Sequence, residues 1–375
     1  NKWHGRFLKS IEIGFRRLVL KIYVFLGGVK KARGKIDPLK LKKVLFFRHD
    51  KLGDMVISLP IFHNLKRKYP HIEIDLVCGK DNYEIVRTDP HIRKAYFYHK
   101  KPLRDWENVK SMRRENYDCV ADLIFGASVT ATILVSHIAG RGFKLGVGKL
   151  HYAKYFDRTV ESKRGVHHII KSTGQILNLF GIDLEDCDMR PRLYLEDEDF
   201  QPGREFVGRL KEEYDTVVCV NLSAGRPSRT WPMGKYIELI KMLLNEYPDW
   251  VFALNYAPSE YWKAESILEI YNSRVAPIPR GLNIRQVAGM MKYYDFLVTP
   301  DTSLTHLAGA FDLPSVVMFS GDDSNFNEWG PYNPKIRAVR SPDFYRIEQI
   351  EPEALIEAFK KVAAEEKASR HEKIG

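Results

Sequence analysis

Residues 43–65 read KVLFFRHDKLGDMVISLPIFHNL. Val44–Phe47 is a short apolar run that breaks into the polar stretch Arg48-His49-Asp50-Lys51-Leu52-Gly53-Asp54. Behind it Met55, Leu59, Phe62 and Leu65 recur at helical spacing, with Pro60 expected as a kink inside one helix. A buried strand, a polar turn and a helix make the opening of a βαβ unit. Working outward, Ile72–Val77, Ala95–Tyr98 and Cys119–Ile124 are strand-like, with helical patterns between them. After an acidic, Pro-containing crossing at about 182–203 the alternation restarts. Strands are expected at Val217–Leu222, Trp250–Leu254, Phe296–Thr299 and Ser315–Phe319, and helices at Met233–Glu246, Ile284–Lys292 and Leu304–Phe311. This predicts two successive doubly wound α/β domains, whose ligands belong beyond the carboxyl ends of the strands.

A length of 375 residues suits two domains with a core each. The boundaries expected are an arm at 1–42, a first domain at 43–185, a second at 186–350, and a helix and tail at 351–375. The tail helix carries Leu355, Phe359 and Val362 and is expected to return to the first domain before ending in charged disorder. Cys78, Cys119, Cys187 and Cys219 are scattered, without a CxxC pair or metal-ligand spacing, which argues against a disulfide scaffold and a zinc site. The net charge of +11 is carried by residues 1–43, which hold thirteen Lys/Arg against Glu12 and Asp37. The remainder balances 46 basic with 46 acidic side chains, so a nucleic-acid-binding body is not expected.

Within the arm, Phe7, Leu8, Ile11, Phe15, Leu18, Val19, Ile22 and Leu26 recur every three or four residues, with Lys9, Arg16, Arg17 and Lys21 between them. That is an amphipathic helix with a basic polar face, ended by Gly27-Gly28. It suits in-plane attachment to an anionic membrane surface through residues 1–36, or packing on its own domain or a partner subunit. The sequence carries no convincing membrane span, and its amino-terminal end lacks the features of a secretory signal.

Three loops at strand ends carry candidate chemistry. In the first, Gly53 permits a tight turn. Asp54 reads either as a helix-capping residue, favoured by the helix dipole, or as a carboxylate general base. In the second, Asn221–Pro232, Ser223, Gly225, Arg226, Ser228 and Arg229 suit an anion such as pyrophosphate, or else the arginines are solvated loop charges. In the third, Thr299–Ala310, Asp301 and Thr302 can cap a helix whose free amides would face a phosphate, and His306 lies one turn in. Neither a Walker loop nor GxGxxG is present. A fourth loop, Phe319–Pro331, is long enough to reach the same site.

Together, in this order, the loops resemble those of glycosyltransferase family 9, the bacterial heptosyltransferases. The matching elements are Gly53-Asp54 with Pro60, Leu65–Pro70, Arg229-Thr230-Trp231-Pro232 for a Lys-x-Trp-Pro element, and Asp301–Ala308 for Asp-Thr-Gly-x-x-His-x-Ala. The resemblance covers roughly residues 43–335. It implies a GT-B fold, two Rossmann-like domains facing across a cleft. It further implies inverting, metal-independent transfer of heptose from ADP-heptose to a lipopolysaccharide core or related glycan acceptor, a lipid-linked or core oligosaccharide. The nucleotide sugar would be a substrate, with no cofactor and no metal. The enzyme would lie at the cytoplasmic face of the bacterial inner membrane.

On the same resemblance, Asp54 would be the base. Ser223, Gly225, Arg229, Glu260, Leu282, Asp301, Thr302, Ser303 and His306 would serve the donor, with Glu260 at the ribose and Leu282 against the base. Arg48, Lys51, Gly53 and the stretch Lys144–Lys149 would serve the acceptor. Two positions depart from the family pattern. Arg229 replaces a lysine, keeping the charge but changing its geometry. Ser303 replaces a glycine where the backbone would approach the donor. Ser303 favours the alternative of another nucleotide sugar; a non-catalytic nucleotide- or glycan-binding relative is the second alternative.

Overall fold

The computed structural model describes residues 2–126, 128–271 and 273–372, with side chains left aside at 2–13, 102 and 370–372. The arm positions Phe7, Leu8, Lys9 and Ile11 therefore lie outside the described side chains. The chain forms two compact units, residues 1–163 with 170–189, and residues 164–169 with 190–375.

The first unit holds a parallel sheet of β1 (Lys43–Arg48), β2 (Glu73–Cys78), β3 (Lys94–Phe97), β4 (Cys119–Asp122), β5 (Phe143–Val147) and β6 (Arg158–Val160). Their order is β3-β2-β1-β4-β5-β6. The second unit holds β7 (Thr216–Asn221), β8 (Trp250–Asn255), β9 (Val275–Pro277), β10 (Phe296–Pro300), β11 (Ser315–Phe319) and β12 (Ile336–Arg340). Their order, β12-β11-β10-β7-β8-β9, is the same winding repeated. Both sheets reverse direction once, between β1 and β4 and between β7 and β10. That reversal opens a crevice at the carboxyl ends of those strands. The central strands are apolar because helices cover both faces: Val44–Phe47 and Val316–Phe319 are each 1% exposed or less.

Several expectations are corrected. The first helix is two, Leu52–Val56 and Leu59–Lys68, broken at Ile57-Ser58. Pro60 lies in the first turn of the second helix, where its missing N–H costs no intrahelical bond. The acidic crossing is partly the helix Asp197–Leu210, opened by a Glu196/Asp199 capping box. Asp199 is buried against Arg285, whose Nε donates to it at 2.9 Å. The stretch Lys144–Lys149 is mostly β5, not an open loop. Lys144 pairs with Asp157 at 2.8 Å and Lys149 with Asp122 at 2.6 Å, all four side chains buried. The carboxy-terminal helix, Pro352–Glu372, expected on the first domain, is grouped with the second unit and packs there on the helix Met233–Glu246 and on β11 and β12. Its Phe359 joins Tyr247, Trp250 and Phe296 in one aromatic cluster. The expected tail disorder is helix as far as Glu372.

The arm is a helix, Lys2–Phe25, that lies on the helix Val129–Ala139, and its Leu20 is buried. Among the described residues no helix is long and apolar enough to cross a membrane.

Candidate active site

In the first unit the site is built around an arginine. β1 ends at Arg48, whose side chain is 1% exposed. Its guanidinium donates from Nε to the Asp54 carbonyl at 3.0 Å, from Nη2 to Asp54 Oδ1 at 3.2 Å and from Nη1 to the Leu123 carbonyl at 2.9 Å. Nη1 also lies 3.2 Å from Asp50 Oδ2. One guanidinium thus ties the ends of β1 and β4 together and holds two carboxylates at the switch point. Arg48 is committed inside the fold, which assigns it to holding Asp54 rather than meeting an acceptor. Asp54 does not cap its helix. It sits in the first turn of Leu52–Val56, after Lys51 at the cap position, and its carboxylate is turned to Arg48.

The loop is fixed from behind by fully buried Asn82. Its Nδ2 donates to the Arg48 carbonyl at 2.9 Å, and its Oδ1 accepts from the Gly79 amide at 2.8 Å. Gly53 is buried, while Lys51 is exposed at the loop's outer side. Buried His49 Nδ1 and Asp50 Oδ1 have no hydrogen-bond partner among the described residues. Burial, reinforced by Asp54 and opposed by Arg48, pushes the Asp50 carboxyl up to about 6. Burial, opposed mainly by Asp122, brings His49 down to about 4, so its imidazole is neutral at neutral pH.

In the second unit the charge is of the other kind. The loop after β7 carries Arg229 in a single turn, Pro227–Arg229. Arg229 Nη1 donates to the Asp301 carbonyl at 2.9 Å, and Nη2 meets Asp301 Oδ2 at 2.8 Å. This joins the loop after β7 to the loop after β10. A lysine has no fork with which to make both contacts in one plane. Trp231 is buried, with Nε1 donating to the Ile350 carbonyl at 3.0 Å, so this half of the motif anchors the loop. Thr302 caps the helix Ser303–Ala310 by accepting from the Leu304 amide at 3.3 Å. Ser303 is the first residue of that helix and half-buried. Burial, with His168 and Arg229 adding, brings His306 down to about 4. It offers a neutral imidazole beside the Trp329 ring, 5.9 Å between centroids.

Around this core Asn221 donates to Thr299 Oγ1 at 2.9 Å and accepts from the Ser223 amide at 3.2 Å. Ser223 Oγ accepts from the Ala257 amide at 2.8 Å. Burial raises Glu260, but hydrogen bonds from Lys263 and Ser223 outweigh it, holding its carboxyl below the usual range. A methyl group on exposed Gly225 would meet nothing, so its backbone is open to solvent. Leu282 is half-buried beside Asn283, the cap of the helix Ile284–Met290.

The structure adds residues that sequence reading missed. Asn325 accepts from Arg229 at 3.3 Å and donates to Asp301 Oδ2 at 3.3 Å, bringing the fourth loop into the same cluster. Lys263, buried, donates to the Leu222 carbonyl at 3.0 Å and to Glu260 at 2.8 Å. His168 comes from the first half of the chain but belongs to the second unit, where it meets the Gly330 carbonyl at 2.9 Å. Only the turn residues of the fourth loop hinted at any of these. One further cluster, His63, Asp89 and His91, has the donor set of a metal site, but its ligand atoms are hydrogen-bonded to one another at 2.7 and 2.9 Å.

Twin doubly wound sheets, with carboxylates at one switch point and arginine and helix amides at the other, define a GT-B glycosyltransferase. Residues 106–357 match glycosyltransferase family 9 (heptosyltransferase), and the chain belongs to that family. It is 22% identical over 304 residues to lipopolysaccharide heptosyltransferase 1 of Campylobacter coli, covering 76% of this chain and 86% of that one. The family 9 glycosyl transferase of Veillonella parvula superimposes with a TM-score of 0.75 at 14% identity, covering 88% of this chain and 99% of that one. Escherichia coli heptosyltransferase WaaC, solved with ADP, gives 0.67 at 20% identity, covering 85% and 99%.

Proposed function

We propose that this glycosyltransferase moves a heptose from ADP-heptose to a lipopolysaccharide core or related glycan acceptor, with inversion and without a metal. It would act as a peripheral protein on the inner face of the bacterial inner membrane, with its basic arm on anionic lipid. The observation that carries this reading is the Asp54 carboxylate, held by Arg48 at the carboxyl end of β1. The acceptor hydroxyl attacks the anomeric carbon while the bond to the diphosphate oxygen breaks. Its proton passes to Asp54, on the face opposite the leaving group. ADP departs with its charge met by Arg229 and by the amides at the start of Ser303–Ala310, since preorganised charge is typically the largest catalytic contribution.

Asp301 and Asn325 would set the Arg229 fork, and Glu260, steadied by Lys263, would take the ribose hydroxyls. Ser223, Gly225, Thr302 and His306 would complete the donor side, and Lys51 and Gly53 the acceptor side. Relatives named as lipopolysaccharide heptosyltransferases, and the WaaC structure with ADP, support the choice of sugar and nucleotide. Ser303, a side chain at the first turn of the donor helix, favours a second reading with a different nucleotide sugar.

Nucleotide screening by thermal shift, followed by transfer assays, separates the two readings. ADP is expected to raise the melting temperature and UDP and GDP are not, because only a ligand of the folded state stabilises it. ADP-heptose is then expected to label the acceptor glycan. A shift with UDP or GDP alone would replace the donor.

A further inference from the structure

The first unit gathers basic side chains at the amino-terminal edge of its sheet. The six residues of β1 put roughly 20 Å between that edge and the Asp54 loop. Buried ion pairs are weak sources of stability, and the one formed by Lys144 and Asp157 is used to hold chain. Lys144 Nζ donates to the Lys30 carbonyl at 2.5 Å, and Asp157 accepts from the Ala32 amide at 3.0 Å. Ten residues on, the Lys42 and Lys43 amides both donate to Asp118, at 2.7 and 2.9 Å. The linker after the arm helix is therefore pinned at both ends to the starts of β4, β5 and β6.

Between these pins the linker walls a cavity of about 770 Å³. Lys30, Arg33 and Lys35 line it from the linker, and Arg113 and Arg141 from the body of the unit. None of the five has a carboxylate partner among the described residues. Of the two acids lining it, Asp37 faces Lys40 at 3.3 Å and Asp118 is taken by the two linker amides. The end of the arm helix, at Tyr23, Gly27 and Gly28, forms one rim. While Leu20 packs inward, the same helix leaves Phe15, Leu18, Ile22, Phe25 and Leu26 exposed, Phe25 by 89%. These positions recur every three or four residues, so they form one stripe.

We infer that this cavity binds the phosphate headgroup of an anionic phospholipid while the adjoining stripe enters the bilayer surface. Uncompensated cations in a concave site match a phosphodiester, and an apolar stripe at the rim matches acyl chains. Soluble phosphate would satisfy only the first. The inference rests on the membrane reading of the arm and adds a site on the globular body to it.

The test is co-sedimentation of the full chain with phosphatidylcholine vesicles, with and without phosphatidylglycerol. Arg33→Glu/Arg141→Glu is compared with Lys241→Glu/Lys361→Glu, which changes net charge equally on the second unit. With each basic group near such a surface contributing about 1 kcal/mol, the cavity variant is expected to lose about tenfold or more in binding and the control little. An unchanged far-ultraviolet circular dichroism spectrum and melting temperature without ligand show that the cavity variant is folded. In the unaltered protein, phosphatidylglycerol vesicles should protect Lys30 and Lys35, but not Lys241, from amine acylation read by mass spectrometry. Equal losses in both variants, equal reactivity of the three lysines, or a cavity variant that binds like the parent would overturn the site. In the last case the arm would remain a membrane anchor. If the parent ignores phosphatidylglycerol, both the site and the membrane reading fall, and the transferase reading stands.

Discussion

The two units wind their strands in the same order and put their loops at the same switch points, yet the loops carry opposite charge. At the end of β1 one guanidinium restrains two carboxylates, Asp50 and Asp54. At the ends of β7 and β10 one carboxylate, Asp301, restrains a guanidinium, Arg229, beside the amides of a capped helix. Each functional group is thus oriented by a partner of opposite sign within its own unit. The difference teaches that the shared fold supplies position and the loop sequence supplies chemistry, which on the proposed function would be proton acceptance in one half and charge stabilisation of a leaving group in the other.

The contrast can be broken at its cationic side first. Arg229→Ala should lower kcat/KM by about 10²–10³-fold, as removal of a preorganised charge donor does. It should also weaken ADP binding in titration calorimetry. Arg229→Lys should recover part of the rate but not the link to Asp301. A variant that binds ADP as the parent does would remove Arg229 from the donor site.

A smaller effect sharpens the acidic side. Asp50 is raised to about 6, so above that pH it adds a negative charge at the switch point where, on the proposed function, the acceptor proton is taken up. The pH profile of kcat/KM should therefore rise through about 6 in the parent, and Asp50→Asn should flatten that rise. An unchanged profile would exclude coupling between the two carboxylates.

The smallest expected effect concerns stability. His306 titrates at about 4 in the folded chain against 6.5 in a free side chain, so the unfolded state takes up the proton first. Its contribution is full above about 6.5 and is lost as pH falls toward 4. His306→Gln should make the fall of melting temperature from pH 7 to pH 5 shallower than in the parent.

Much of this architecture was legible in the sequence because buried parallel strands are short apolar runs. Ser315–Phe319 and Met233–Glu246 form as read. What escaped was decided by distant partners. β5 was hidden because Lys144 interrupts the apolar pattern and is buried through its ion pair with Asp157, and β6 because it is only the three residues Arg158–Val160. The carboxy-terminal helix was assigned to the wrong unit because Phe359 finds its aromatic partners at Trp250 and Phe296. Motif spacing pointed to Asp54, Arg229 and Asp301 as residues, but not to how they are held. Arg48 and Asn325 hold them directly, and Asn82 holds the Arg48 loop, through hydrogen bonds between loops that no local pattern announces.

The division of labour between the units is tested most directly by Asp54→Asn in single turnover with saturating ADP-heptose and acceptor. Loss of a positioned general base should slow transfer by about 10²–10⁴-fold. ADP affinity, which the proposed function places on the second unit, should stay within about twofold of the parent under the same mass-action measurement. Transfer at the parental rate by that variant would contradict the account.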